Sequence, residues 1–228
     1  EACHGPASDH IEWAKLPEGS RPSDVNTGLV VRTRDLDNKE LLNVCARCHS
    51  RRSIMGDYDN NNEDLLNYMI PQLITSPIYH ADGQILEEDY EYASFTQSKM
   101  FEKGIKCNDC HDSHSVKTLK PDNELCLKCH RPDIYDSPHH HFHKMAVPGA
   151  LPASIGTPNA CNDCHDDKTT AWSQGYIEKW YGARKRPHYG ETFAAANRRD
   201  PGAIPELILY AGNELFPLMV RATAVSLL

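Results

Sequence analysis

The chain has 228 residues, a formal net charge of −8 and a hydrophobic content of only 39%. This length fits one or two domains, but the apolar content is low for a conventional core of that size. The acidic balance without a basic stripe argues against a nucleic-acid-binding protein, and no apolar run approaches the roughly 18 residues that span a bilayer.

The first half of the chain predicts little regular structure. Residues 1–37 contain many Pro, Gly and Asp and predict a loop with little helix. A group of apolar residues predicts a short helix over 38–48. Another helix is predicted over 94–104, where Ser94 can serve as the N-cap and Gly104 as the stop.

The second half alternates between irregular and helical segments. Residues 131–156 are rich in Pro and His and predict irregular structure. Residues 167–181 predict a helix with one apolar stripe. The stripe consists of Trp172, Tyr176, Ile177 and Trp180. We interpret this stripe as core, or as a wall against a bound cofactor, rather than as a redox relay.

The last 28 residues lack Cys and His and predict two amphipathic helices, Pro201–Ala211 and Glu214–Leu228. Gly212 and Asn213 form the turn between them. Such a pair is typical of the start of a helical repeat, and one pair cannot bury its own apolar face. We therefore expect it either to dock on the preceding domain or to continue into further repeats.

Four Cys-x-x-Cys-His runs dominate the chain. Their cysteines are Cys45 and Cys48, Cys107 and Cys110, Cys126 and Cys129, and Cys161 and Cys164, and their histidines are His49, His111, His130 and His165. This pattern is typical of covalent c-type haem, because two thiols bond to the porphyrin edge and the next imidazole binds the iron. Structural zinc and disulfides do not require a histidine after every pair, so both are weaker interpretations.

The ninth cysteine indicates a fifth haem. Cys3 is followed by His4, which matches the end of a run whose first cysteine would lie upstream. We expect the chain to begin inside a motif, as part of a longer protein. A stray thiol beside a histidine is the alternative. With at least five haems, the fold class predicted is mainly α with much irregular coil, wrapped around stacked haems.

Histidine is also present in surplus. Eight histidines remain after the five proximal candidates: His10, His80, His114, His139, His140, His141, His143 and His188. Five irons need at most five distal ligands, and we expect at least four of the eight to serve. A second imidazole stabilises ferric haem and closes the iron to substrate. The five methionines are the alternative sixth ligands and would raise the potential.

Several longer runs carry a family resemblance. They are Glu1-Ala2-Cys3-His4-Gly5-Pro6, Tyr79-His80-Ala81-Asp82-Gly83-Gln84-Ile85, Cys107 to Ser115, and Gly156-Thr157-Pro158-Asn159-Ala160-Cys161-Asn162-Asp163-Cys164-His165. The chain resembles bacterial multihaem cytochromes c with C-terminal TPR- or HEAT-like repeats, which are related to the octahaem and pentahaem cytochromes. The resemblance implies distal ligands at His80, His114, His140 and His143, and less directly at His10 and His188.

The same resemblance exposes a departure. Similar proteins usually carry another haem site between the equivalents of Ala150 and Leu151, and here the two sides meet directly. We expect a haem-bearing segment to be missing from this sequence at that point, the alternative being a protein that has lost one haem. The predicted domains are a multihaem domain over 1–185 and a helical-repeat segment over 186–228.

Two functions remain open. The first is an electron carrier, periplasmic or extracellular, that uses mostly bis-His haems and exchanges electrons with redox partner proteins, other multihaem cytochromes or copies of itself. The second is a multihaem oxidoreductase that acts on nitrite, hydroxylamine or a similar small nitrogen compound through one open haem. The absence of a Cys-x-x-Cys-Lys run and the supply of histidines favour the carrier.

Overall fold

The computed structural model describes residues 3–23, 27–57, 63–87, 90–121, 124–127, 150–162, 164–183 and 187–228. These residues are mainly helical with much coil and one small two-stranded sheet, which agrees with the predicted mainly-α class. The chain divides into two compact units, one of Glu1–Gln72 with Tyr90–Lys117 and the other of Leu73–Asp89 with Thr118–Leu228. The domain boundary predicted between residues 185 and 186 lies outside the described residues.

The first unit begins with helix α1, Ser8–Lys15, where the sequence had predicted a loop. None of its side chains is buried, so it lacks the apolar stripe that periodicity detects. The helix is secured at its end instead, because the Arg21 guanidinium donates to the carbonyls of Ala14 and Leu16 and lies 5.0 Å from the Trp13 ring. A 3₁₀ turn over Glu18–Ser20 follows.

Helix α2, Asn38–Cys45, confirms the short helix predicted over 38–48. A capping box starts it: the Asp37 carboxylate accepts from the backbone N–H of Glu40, and the Glu40 carboxylate accepts from that of Asp37. Its apolar face contributes Leu41, Leu42 and Val44 to the core of this unit. The helix therefore delivers Cys45 from a fixed, capped element.

The remaining elements of the first unit are short. Strands β1, Arg52–Ile54, and β2, Met69–Pro71, pair antiparallel. The single helix predicted over 94–104 is in fact two, α3 over Tyr92–Thr96 and α4 over Lys99–Glu102. The break occurs because Ser98 is extended and its hydroxyl caps Phe101 N–H at 3.2 Å. The predicted cap Ser94 lies inside α3.

The second unit combines the loop over 73–89 with helices from the rest of the chain. These are α5, Glu124–Leu127; α6, Ala150–Ile155; α7, Thr170–Tyr181; α8, Tyr189–Asn197; α9, Ile204–Gly212; and α10, Leu218–Leu227. Helix α6 corrects the C-terminal end of the segment predicted to be irregular, whose residues 131–149 lie outside the described ones. Helix α7 confirms the prediction over 167–181, starting at the Thr169 cap.

Helices α8, α9 and α10 form the best-packed part of the second unit. Phe193, Leu207 and Val220, one from each helix, are at most 1% exposed. The backbone N–H of Ile74 donates to the Thr223 hydroxyl at 3.0 Å, which fastens the loop over 73–89 to α10. Removing these apolar side chains from water supplies most of the stability of this packing.

The two helices predicted at the end of the chain are present, with both starts shifted. The first begins at Ile204 rather than Pro201, after a 3₁₀ turn over Pro201–Ala203, and includes Gly212. The second starts at Leu218 rather than Glu214, because Pro217 supplies the extended residue before its first turn. Leu215 in the connecting turn is 92% exposed. Continuation into further repeats stays a prediction. Among the described residues no helix is long and apolar enough to cross a membrane.

Candidate haem-attachment sites

Three Cys-x-x-Cys-His runs close the same turn among the described residues, which include all of 45–49 and 107–111 and all but residue 163 of 161–165. In the first, the carbonyl of Cys45 accepts the N–H of Cys48 at 3.2 Å and that of His49 at 3.0 Å. The corresponding pairs are 3.2 and 3.2 Å in the run over 107–111, and 3.3 and 2.9 Å in the run over 161–165. One turn therefore holds both thiols and the imidazole of each run within a single local element, which is the arrangement that covalent haem requires.

The thiols of these runs are chemically available. Seven cysteines with described side chains form no disulfide: Cys3, Cys45, Cys48, Cys107, Cys110, Cys161 and Cys164. None is fully buried, so each can reach a group bound at the surface of its turn. Burial raises the pKa of Cys161, and the neighbouring Cys164 adds to that effect. The side chains of Cys126, Cys129 and His130 lie outside the described residues.

Cys45 and Cys107, the first cysteines of two different runs, are hydrogen-bonded through their side chains. That bond lowers the pKa of Cys107 to about 7 and raises the pKa of Cys45, because a Cys107 thiolate accepts a hydrogen bond from the Cys45 thiol. The structure thus places the attachment edges of two runs, 62 positions apart in sequence, against each other.

His4 and His10 have the tautomer that an iron ligand needs. The Nδ1 atom of His4 lies 3.0 Å from the carbonyl oxygen of Val31, and that of His10 lies 2.7 Å from the carbonyl oxygen of Thr27. A carbonyl can only accept, so Nδ1 carries a proton, and in the neutral imidazole Nε2 then has the lone pair. This backbone partner is the usual second-shell support of a ligating histidine. The two carbonyls are distant in sequence from the histidines they contact, so the sequence did not indicate these partners.

His188 is arranged differently. Its Nδ1 atom accepts the N–H of Gly190 at 3.0 Å and caps helix α8. An accepting Nδ1 leaves the proton of a neutral imidazole on Nε2, so this conformation does not offer Nε2 to a metal. The ring also lies on Tyr189, with centroids 4.1 Å apart. The geometry therefore supports His188 as a cap, and its candidacy as a distal ligand stays a prediction.

His80 lies on a loop held by Asp82. The Asp82 carboxylate accepts from the Thr157 hydroxyl at 2.8 Å and from the Gln84 amide at 2.7 Å, and its carbonyl accepts from the Tyr189 hydroxyl at 2.8 Å. The loop is thereby fixed to the segment that precedes the run over 161–165. Sequence reasoning named His80 but missed Asp82 and Thr157, whose only signal was their place in the quoted runs.

His114 follows a tight turn made by its neighbour. The Asp112 carboxylate accepts the backbone N–H groups of His114 at 3.0 Å and Ser115 at 2.7 Å, which lowers the pKa of Asp112. The imidazole of His114 then lies parallel to that of His4. The remaining distal candidates of the sequence, His140 and His143, and their neighbours His139 and His141, lie outside the described residues.

Aromatic side chains adjoin the proximal candidate His165. The ring of His165 lies 4.9 Å from that of Trp172, and the helix α7 stripe continues through Tyr176 and Trp180 at 5.0 and 5.4 Å. Tyr176 is 41% and Trp180 61% exposed, so the expectation of a core stripe is wrong for these two. Their alternative role, a wall against a cofactor held by His165, stays a prediction.

The described residues fit covalent haem. The free thiols, the shared turn and the Nε2 lone pairs of His4 and His10 provide both the attachment groups and the ligands. In addition, Nε of Arg52 is buried and has no hydrogen-bond partner among the described residues, three positions after His49. A haem propionate has the negative charge and the acceptor oxygens that this donor needs. Haem supplies a one-electron redox centre to such a site.

Comparison with known proteins agrees with this donor set. The family described as a doubled CXXCH motif matches residues 99–134, which include two of the four runs. The chain carries this doubled motif. It is also 36% identical over 76 residues to a dissimilatory sulfite reductase, MccA, of Wolinella succinogenes. That alignment covers 33% of this chain and 10% of the relative, and no solved structure matches significantly.

The motif family and this relative support a multihaem c-type cytochrome that binds haem and iron. Because the alignment spans only about one tenth of the relative's length, the similarity concerns one segment of that protein.

Proposed function

We propose that this chain is an electron-transfer protein that carries electrons along closely packed c-type haems, most of them held between two histidines. The observation that carries the proposal is the contact between Cys45 and Cys107. Each thiol is an attachment point for the edge of a different haem. Thiols in contact therefore require two porphyrin edges close to each other, which is what a conduit needs.

The supply of ligands supports the same function. His10 and His4 each keep an available Nε2, and His80 lies on a loop fixed by the Asp82 hydrogen bonds. A second imidazole fills the sixth position of an iron, so the haem exchanges electrons without binding substrate. We propose five or more haems, counting the four complete runs and the partial one at Cys3.

We further propose that the chain works in the periplasm or outside the cell. Its partners would be redox proteins, other multihaem cytochromes or copies of itself. Ile208 and Leu209 of α9 and Val225 of α10 leave apolar surface exposed at 58, 58 and 61%. This exposed face supports the continuation of the two helices into further repeats, which would provide a docking surface for such partners.

The similarity to a protein named as a sulfite reductase favours a second candidate. In that alternative, one iron lacks its distal ligand and reduces or oxidises a small molecule such as sulfite, nitrite or hydroxylamine. The other haems would then deliver electrons to that site. The similar segment is short, and either of two functions would account for it. The two proteins would share the segment that delivers electrons, or they would share a segment of the catalytic site.

Low-temperature EPR of the holoprotein separates the two candidates. The electron-transfer proposal predicts only low-spin signals that sulfite, nitrite, hydroxylamine and cyanide leave unchanged. A high-spin signal that shifts when one of these is added would reveal an open haem and replace the proposal by the enzyme. Imidazole is the matched control, because it closes an open iron without any turnover.

A further inference from the structure

The imidazoles of His4 and His114 lie near each other with almost parallel planes. Their ring centroids are 6.2 Å apart and their planes differ by only 10°. Both residues belong to the same compact unit. The separation lies within the range of about 4.5–7 Å over which ring pairs occur. A common partner that orients both rings is one explanation of the near-parallel planes.

Two ligands of one metal atom provide that explanation. A metal–imidazole bond is about 2.0 Å long, and the centroid of a five-membered ring lies about 1.15 Å from each ring atom. Two imidazoles bound to opposite sides of one metal therefore have centroids about 6.3 Å apart. The distance between His4 and His114 agrees with this value within 0.1 Å.

The surroundings of both rings agree with ligation. The Val31 carbonyl fixes the proton of His4 on Nδ1, which aims the lone pair of Nε2 away from that carbonyl. His114 is exposed and is presented by the Asp112 turn. Cys3, next to His4, is an exposed free thiol that can hold a porphyrin edge beside the two rings.

We propose that His4 and His114 are the two axial ligands of one iron, that of the haem attached through Cys3. The inference rests on the proposed presence of covalent haem and adds the pairing that the sequence leaves open. It makes His114, three residues after His111, the ligand of a haem other than the one held at 107–111. One haem would then link the start of the chain to the segment that carries the run over 107–111.

Variants of the full-length holoprotein test this pairing through EPR and haem content. His114→Ala should convert one low-spin haem to high spin, with the pyridine haemochrome content unchanged, and added imidazole should restore it. The signal lost should be rhombic, because parallel imidazole planes make the two in-plane directions of the iron unequal. Perpendicular planes would instead give a highly anisotropic signal.

The double variant decides whether the two histidines share an iron. His4→Ala with His114→Ala should affect one haem only, namely the one that each single variant affects. The matched control is His49→Ala with His114→Ala, which removes ligands of different irons and should affect two haems. If His4→Ala loses its haem altogether, the missing signal should be the rhombic one, and adding His114→Ala should remove no other.

Two results would overturn the pairing: two affected haems in the His4/His114 double variant, or an unaltered spectrum in His114→Ala. His114→Met, which retains a sixth ligand, should raise the potential of the same haem, and an unchanged potential would also count against ligation. These readouts are independent of the proposed function. A ligand-responsive high-spin haem in the wild type would remove the electron-carrier proposal and leave the pairing intact.

Discussion

The thiol of Cys45 donates a hydrogen bond to the sulfur of Cys107, although the two residues begin different Cys-x-x-Cys-His runs. Helix α2 presents the first and the 3₁₀ turn Cys107–Asp109 the second. Local sequence explains each presentation, but only the packing of the two elements brings the sulfurs together.

This contact predicts an unusual pH dependence of alkylation in the haem-free chain. The pKa of Cys107 is lowered to about 7 by the Cys45 hydrogen bond, so its thiolate and its reactivity should rise through neutral pH. Cys45→Ala removes the donor, and the midpoint should move upward toward the ordinary value of 9.0. Iodoacetamide labelling read by peptide mass measures both. Equal midpoints in the two chains would contradict the contact.

Tyr189 should make the second unit sensitive to alkali. Burial raises its pKa in the folded state, and Asp82 adds to the shift. Below pH 10, about the pKa of a tyrosine in the unfolded chain, Tyr189 is protonated in both states and does not reduce the stability. Above it the unfolded state loses its proton first, which lowers the free energy of unfolding by about 1.4 kcal/mol per pH unit. In Tyr189→Phe the loss of the hydrogen bond to Asp82 should cost about 1 kcal/mol at neutral pH.

The difference between the wild type and Tyr189→Phe should therefore shrink above pH 10 and reverse its sign within about one unit. Guanidinium unfolding followed by circular dichroism at several pH values measures it. A difference that stays constant from neutral to alkaline pH would show that Tyr189 is not the group responsible.

Thr223 should be essential to the packing of helix α10. Its hydroxyl is fully buried, accepts the N–H of Ile74 and donates to the carbonyl of Met219 at 2.7 Å. Thr223→Val keeps the shape but leaves the Ile74 N–H buried without its acceptor, which should cost about 1–3 kcal/mol. Thr223→Ser retains the hydroxyl and serves as the control. In urea unfolding, Thr223→Ser should have a higher free energy of unfolding than Thr223→Val. The reverse order would refute this role of the hydroxyl.

Variants of His188 test directly whether this residue caps helix α8 or binds a haem iron. Asparagine is among the best N-cap residues, so His188→Asn should preserve helix α8, whereas His188→Ala should cost about 1 kcal/mol. If the Nδ1 cap is the role of His188, neither variant changes the low-spin EPR signals of the holoprotein. Conversion of one haem to high spin in His188→Asn would instead identify this residue as a distal ligand.

The haem runs and the helices with strong local signals could be predicted from the sequence. The prediction over 38–48 succeeded because Leu41, Leu42 and Val44 form one apolar face. Helix α1 was missed because it buries no side chain, and helix α8 because its cap is a histidine that sequence reasoning treated as a ligand candidate. Three-residue strands are too short to show alternation.

The contacts that define the site could not be predicted from the sequence, for a different reason. The carbonyl of Val31 sets the tautomer of His4 from 27 positions away, and every residue except proline has a carbonyl and an N–H to offer. Side-chain identity therefore could not indicate this partner. The same holds for the parallel rings of His4 and His114, which only the fold brings together.

In the runs over 45–49, 107–111 and 161–165, the backbone N–H of the histidine donates to the carbonyl of the first cysteine, so each turn closes within five residues. The turn that presents the thiols and the proximal histidine is therefore set locally, whereas the distal ligand comes from another segment. A short insertion can add such a turn without redesigning a core, and a short deletion can remove one.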